Sequence, residues 1–148
     1  MKPLLLFITF LVFTASPVFS QDAEEKAVKE ALEGAGTASG TQSWSEVSKN
    51  FWILDNNTIV YSSFMDGKFI ELRADQMQAS GDLPADSPAI VSQSNHQIAV
   101  NGNMASATFD QLRTGANGEK VYSHEMALLE KIGGAWKIHL ATIHRYLP

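Results

Sequence analysis

The chain has 148 residues, 45% hydrophobic and 18% charged, with a formal net charge of −5, which describes one ordinary globular domain. Mild acidity without a Lys/Arg cluster argues against nucleic acid as a partner, because phosphates demand basic side chains. The absence of cysteine excludes a disulfide framework, a thiol nucleophile, a thiolate metal site and a lipid-bearing cysteine.

Lys2 precedes an apolar run from Leu4 to Phe13, and Pro17-Val18-Phe19-Ser20 leads to Gln21. One positive charge, about ten apolar residues and compact side chains before Gln21 form the pattern of a secretory signal peptide. The run is short of the roughly 20 apolar residues a membrane span needs. The expected organisation is therefore a signal peptide over 1–20, cleavage near Ser20/Gln21, and a domain over 21–148. The protein is expected to be secreted or periplasmic, with no stable membrane span after processing. Removal of 1–20 takes away Lys2 and no acid, which leaves a more acidic domain.

Asp22-Ala23-Glu24-Glu25 reads as an N-cap with an acid three residues on. Ala27, Val28, Ala31, Leu32 and Ala35 follow at helical spacing, Gly34 and Gly36 mark an end, and 37–42 reads as a small-residue linker. Ser43-Trp44-Ser45-Glu46 repeats the capping signature, with Trp44, Val47 and Phe51 on one face of a short second helix. A turn at Asn56-Asn57 leads into a strand through Ile59, Val60 and Tyr61. Asp66-Gly67 signals a turn, 71–78 can form a short helix with Leu72 and Met77 inward, and 80–87 reads as a surface loop.

The remainder is a meander. Strands over 90–100 and 104–113 flank Asn101-Gly102, a preferred hairpin pair. Two apolar-rich runs, 121–131 and 135–147, flank Gly133-Gly134, where both turn positions need φ > 0. If these glycines form the loop, Ile132 faces Ala135, Lys131 faces Trp136, Glu130 faces Lys137, Leu129 faces Ile138, and Glu125 faces Thr142. That register puts opposite charges on one face and apolar pairs on the other. A three-residue loop at Ala116-Asn117-Gly118 pairs Phe109 with Glu125 and Ala107 with Ala127; a four-residue loop would invert the faces.

The fold class is α+β, a curved antiparallel sheet packed on N-terminal helices. The element order, with Asn101-Gly102-Asn103-Met104-Ala105 and Leu129-Glu130-Lys131-Ile132-Gly133-Gly134-Ala135-Trp136-Lys137-Ile138, resembles the nuclear-transport-factor-2-like superfamily, specifically its SnoaL-like and ketosteroid-isomerase-like exported members. The resemblance spans Asp22 to Tyr146. It implies a sheet wrapped around the helices, a cone-shaped apolar cavity, and commonly a homodimer through the outer sheet face. The superfamily includes isomerases, cyclases, dehydratases and proteins of unknown activity, so fold constrains function weakly. The acid, tyrosine and second acid of the isomerases have no residue-by-residue match here.

Under the expected register Glu125 and His144 share the cavity face, with Ser123 directly across from His144. A carboxylate turned toward an imidazole in an apolar cone has the makings of a general acid–base pair. The alternative is that Glu125, His144 and Thr142 merely satisfy one another at the open end of the sheet. Trp52, Tyr61, Phe109, Gln111, Ser123, Trp136 and Tyr146 are the candidate ligand-binding side chains, although aromatics at core spacing are usually core. Asp110 and His124 fall opposite each other on the outer face, near His139, as a solvated or interface pair. His96, on the Ile98 side of its strand, reads as a satisfied, half-buried histidine. No H-x-H or H-E-x-x-H spacing points to a metal, Ser123 lacks a G-x-S-x-G turn, and no cofactor is expected.

Two functions are carried forward. The first is an exported domain that binds a small apolar or amphipathic molecule in its cone, as a homodimer. The second is a cofactor-free isomerase, cyclase or dehydratase using Glu125 and His144. A weaker third is a structural dimer that meets another envelope protein through the outer sheet.

Overall fold

The computed structural model describes residues 18–54, 59–65, 68–73, 76 and 89–147, with backbone alone at 18–20, 44, 59–65 and 72. The expected turns at Asn56-Asn57 and Asp66-Gly67, the loop over 80–87 and most of the signal segment lie outside the described residues.

Helix α1, Val18–Thr41, is longer than its local signals allow. It passes through Asp22, expected as its cap, through Gly34 and Gly36, expected to end it, and through Gly40 of the expected linker. Glycine inside a helix costs about 1 kcal/mol relative to alanine, and a close crossing of β3 (Ala89–Asn101) overrides that preference. A Cβ at Gly40 would collide with the backbone carbonyl of Ala89, and one at Gly36 would sit 2.7 Å from Nε2 of Gln93. The small residues are thus contact points between helix and sheet rather than a linker. Val28, Leu32, Ala35 and Ala38 form the buried stripe of α1.

Helix α2, Trp44–Phe51, begins as expected: Ser43 is extended, its hydroxyl accepts the Glu46 N–H, and Val47 is buried. Beyond it Trp52 bridges to Ile138, and the Ile53 N–H donates to the Ile138 carbonyl at 2.9 Å.

One six-stranded sheet carries the rest, in the order β2-β1-β6-β5-β4-β3. Strand β1 is Ile59–Met65, β2 Lys68–Arg73, β4 Met104–Gly115, β5 Lys120–Ile132 and β6 Ala135–Tyr146. Strands β3 to β6 are the expected antiparallel meander, curved around the helices. Strand β1 joins β6 in parallel, and β2 pairs back on β1. The helix expected over 71–78 is corrected in its first half. Glu71 and Leu72 pair with Ser62 and Tyr61 as strand, because the β-rich Phe69-Ile70 segment continues the hairpin.

The turn glycines behave as expected. Gly133 and Gly134 have φ of 58° and 87°, and Gly118 has φ of 81°. The register follows: Lys131↔Trp136, Glu130↔Lys137 and Leu129↔Ile138 across the last hairpin, and Phe109↔Glu125 and Ala107↔Ala127 across the previous one. Ala105, Ala107, Phe109, Leu129, Trp136 and Ile138 are consequently buried on the concave face, with Ile98 and Val100 packed beside them.

Within the meander of β3 to β6, two irregularities interrupt the alternation. In β6 an extra residue at His139 shifts the pairing from Leu129↔Ile138 to Leu128↔Leu140. In β3 another lies between Ser94 and Gln97, where Asn95 has φ of 55°. A bulge bends its strand and moves every later side chain to the other face. Both bulges decide what the concave face contains.

Candidate functional site

The bulge in β3 is the local cause of the site. In a regular strand Gln93 and His96, three residues apart, would point to opposite faces. The left-handed turn at Asn95, stabilised by its Nδ2 donating to Oδ2 of Asp110 at 2.7 Å, brings both to the concave side. His96 stacks on Phe109 with ring centroids 5.4 Å apart, and its Nε2 lies 3.3 Å from Oε1 of Gln93. Nε2 of Gln93 reaches two acceptors, the Leu32 carbonyl of α1 at 3.2 Å and Oε1 of Gln111 at 3.0 Å. Nε2 of Gln111 then donates to Oε1 of Glu125 at 2.7 Å, and the Ser123 hydroxyl donates to the same oxygen at 2.8 Å. A continuous polar chain thus crosses three strands beneath α1, ending at a carboxyl only 6% exposed.

Burial pushes the Glu125 carboxyl above its ordinary pKa, against the Ser123 hydrogen bond and the positive fields of Arg145 and His124. His96 is pushed down, chiefly by burial and then by Lys29, with Glu33 opposing. Among the described residues no sealed side-chain oxygen or nitrogen lacks a partner. Among the described residues only Oε1 of Glu125 has a hydrogen-bond donor, so Oε2 is the oxygen open to water or a ligand.

The bulge at His139 corrects the expected acid–base pair. Glu125 lies across from Ile143, not Thr142, and Ser123 lies across from Arg145, not His144. His144 pairs with His124 on the outer face, so the structure does not bring Glu125 and His144 together. Tyr146 is likewise outward, 45% exposed, its ring 6.1 Å from that of Tyr122.

The remaining candidates divide by place. Gln111, Ser123 and Phe109 gather at Glu125, whereas Trp52 and Trp136 are buried in the core. Trp136 donates from Nε1 to Oε2 of Glu24 at 3.0 Å, and Lys131 grips the same carboxylate at 2.6 and 2.7 Å. These bonds hold the Glu24 carboxyl below its usual range, the one to Lys131 first. The backbone register sets Tyr61 beside Ala141, two pairs before Ser63↔Ile143; its side chain lies outside the described residues.

Gln93 is the residue sequence reasoning missed. Asn95, a residue that tolerates φ > 0, inside an otherwise regular strand was the available signal. Arg113, bonded to Oγ and the carbonyl of Ser39 at 3.4 and 3.2 Å, ties the end of α1 to β4.

The outer face carries Asp110 and His124 in contact, Oδ1 to Nδ1 2.8 Å, with His139 3.9 Å from Glu130. Among the described residues no cluster of ligating side chains suits a metal ion, and no helix is long and apolar enough to cross a membrane. A shallow groove of about 470 Å³ lies outside β3, lined by Asp22, Glu25, Lys26, Lys29 and the bulge residues. It meets the polar chain at Gln93 and His96.

No protein-family model matches the chain, and no curated protein does. Solved structures do match in fold. An NTF2-like protein of unknown function from Pseudomonas putida superposes with a TM-score of 0.62 at 13% identity, over 86% of this chain and 88% of that one. A protein of unknown function from Mycobacterium tuberculosis gives 0.69 at 15% identity, over 91% and 79%. The association domain of C. elegans CaMKII gives 0.61 at 17% identity, over 86% and 98%. The chain has the fold of the nuclear-transport-factor-2-like superfamily.

Proposed function

We propose that this protein is an exported small-molecule-binding domain, its ligand held in an apolar cone on the concave face with a polar head against Glu125. One observation carries the reading: a deeply buried carboxyl has one oxygen occupied by Gln111 and Ser123, and the other has no partner among the described residues. Buried polar groups are normally fully paired, and apolar pockets with a few convergent polar groups are the usual form of small-molecule sites. Phe109, across from Glu125 and buried in the core, is the apolar side chain next to it. The partner is a small amphipathic molecule, and no cofactor is invoked. The test is a panel of steroid-like, polyketide-like and terpenoid ligands against wild type and Glu125→Gln. A ligand that weakens on loss of the carboxylate supports the site; a panel member that binds both proteins equally, with shifts mapping away from Ser123 and Glu125, overturns it.

A second reading keeps Glu125 as a general acid–base in an isomerase, cyclase or dehydratase, without His144 as its partner. The upward push on its pKa favours this, since such groups work best near the operating pH. Turnover of any panel member that Glu125→Gln abolishes, with binding intact, would establish it.

We further propose export by cleavage near Ser20/Gln21 and a homodimer through the outer sheet face. Met104, Met126 and Tyr146 are exposed there, and one fold neighbour is an association domain. N-terminal sequencing of the exported protein checks the first, with Gln21 expected as the first residue. Sedimentation at micromolar concentration checks the second; a monomer would end it.

A further inference from the structure

The polar chain has a direction, and its origin is a backbone atom. The carbonyl of Leu32 can only accept. The Gln93 amide must therefore present its NH₂ to the helix, because the flipped orientation would set two oxygens against each other 3.2 Å apart. Every later bond follows from that constraint. With Nε2 of Gln93 toward α1 and Gln111, its Oε1 faces His96, which must donate from Nε2. Oε1 of Gln111 accepts, so the Gln111 NH₂ is aimed at Glu125. Oε1 of Glu125 takes that donor and the Ser123 hydroxyl together.

We propose that Gln93 and Gln111 are positioning residues that impose one hydrogen-bond polarity on the site: they fix His96 as the Nε2–H tautomer, keep Oε1 of Glu125 an acceptor, and confine any proton of that carboxyl to Oε2. This rests on Glu125 being the ligand-facing group. When Glu125 is protonated, the group offered to a ligand is an O–H on Oε2; when it is ionised, Oε2 is a free acceptor. The electrostatic surroundings are Arg145 and His124 for Glu125, and Lys29 and Glu33 for His96.

Gly36 is part of the device. Its missing side chain is what lets the Gln93 amide approach α1, since a Cβ there would stand 2.7 Å from Nε2 of Gln93. The clash is with the end of a flexible side chain, so alanine at this position displaces the amide rather than the helix.

The test needs no ligand, and so is independent of whether the binding reading holds. Imidazole nitrogen shifts of the isotopically labelled full chain report the His96 tautomer, and side-chain carboxyl shifts report the titration of Glu125. Wild type is expected to show Nε2–H with an unprotonated Nδ1. Gln93→Met and Gly36→Ala are both expected to release His96 into a tautomer mixture, the second without deleting any amide. Gln111→Met is expected to leave the tautomer as in wild type, since Gln93 stays anchored on Leu32, and to move the Glu125 titration to higher pH as the ionised form loses a donor. A purely structural role for the amides predicts no such split. An Nδ1–H tautomer in wild type overturns the proposal even if no variant folds. So does a His96 signature unchanged in Gly36→Ala, or a Glu125 titration unmoved in Gln111→Met.

Discussion

The concave face has two ends, covered by the same helix and built on the same strands, and they differ in kind. Toward the Gly133-Gly134 turn, Val28, Leu32, Ala127, Leu129 and Ile138 make an apolar contact, with the Glu24, Lys131 and Trp136 bonds at its margin. Toward the Gly118 loop, the corresponding rows carry Gln93, which donates to Gln111, and Gln111 and Ser123, which both donate to Glu125. Aliphatic side chains at those positions would bury more apolar surface without desolvating polar groups. A polar network kept in so costly a place points to function at that end and to stability at the other.

The largest effect that sharpens this contrast belongs to the dry end. Leu129 is fully buried, and Leu129→Ala is expected to lower unfolding free energy by about 3 kcal/mol in urea melts, with the titration of Glu125 unchanged. Gly40→Ala ranks next, at about 2 kcal/mol, because its Cβ meets the rigid Ala89 backbone rather than a movable side chain. Gly36→Ala, four residues away, is expected to cost far less stability and to disturb the polar chain instead. Equal losses in the two glycine variants would break the distinction.

Smaller effects are read through pH. Glu125 has its folded pKa raised by burial, so the folded state holds its proton more tightly than the unfolded chain. Stability is then lost as pH rises from the unfolded value through the folded one. Glu125→Gln is expected to match wild type in acid and to exceed it at neutral pH; the reverse order would contradict the burial argument. Glu24 has the opposite sign. Its pKa is lowered by Lys131 and then Trp136, so its contribution is present above the unfolded carboxylate value and fades as pH falls through the folded one. Glu24→Gln is expected to flatten the acid limb of the stability profile, the smallest change of the set.

Much of the fold was legible because independent signals agreed. The Gly133-Gly134 turn, the Glu130–Lys137 charge pair and the Leu129–Ile138 apolar pair all specify one register, and the structure has it. The same holds for the loop at Gly118, which turned Ser123 and Glu125 inward. What could not be read were the points where alternation fails. Nothing in Ile138-His139-Leu140 marks an extra residue, yet it sends His144 and Tyr146 outward and separates the expected acid–base pair. The bulge at Asn95 had the opposite consequence, delivering Gln93 to the site. Gly34, Gly36 and Gly40 misled for a related reason. Local propensity reads them as a helix end and a linker, while the role of Gly36 and Gly40 is set by β3, dozens of residues away in sequence, and that of Gly34 by Phe51 of α2.

In the proposed site Glu125 presents Oε2 to a ligand. A crystal structure of the protein purified from its native source, with no ligand added, tests this most directly. The expected result is density for a bound small molecule on the concave face, with a polar atom within hydrogen-bond distance of Oε2. Finding Oε2 capped by a protein side chain, with the space beside Phe109 filled by the chain itself, would contradict it.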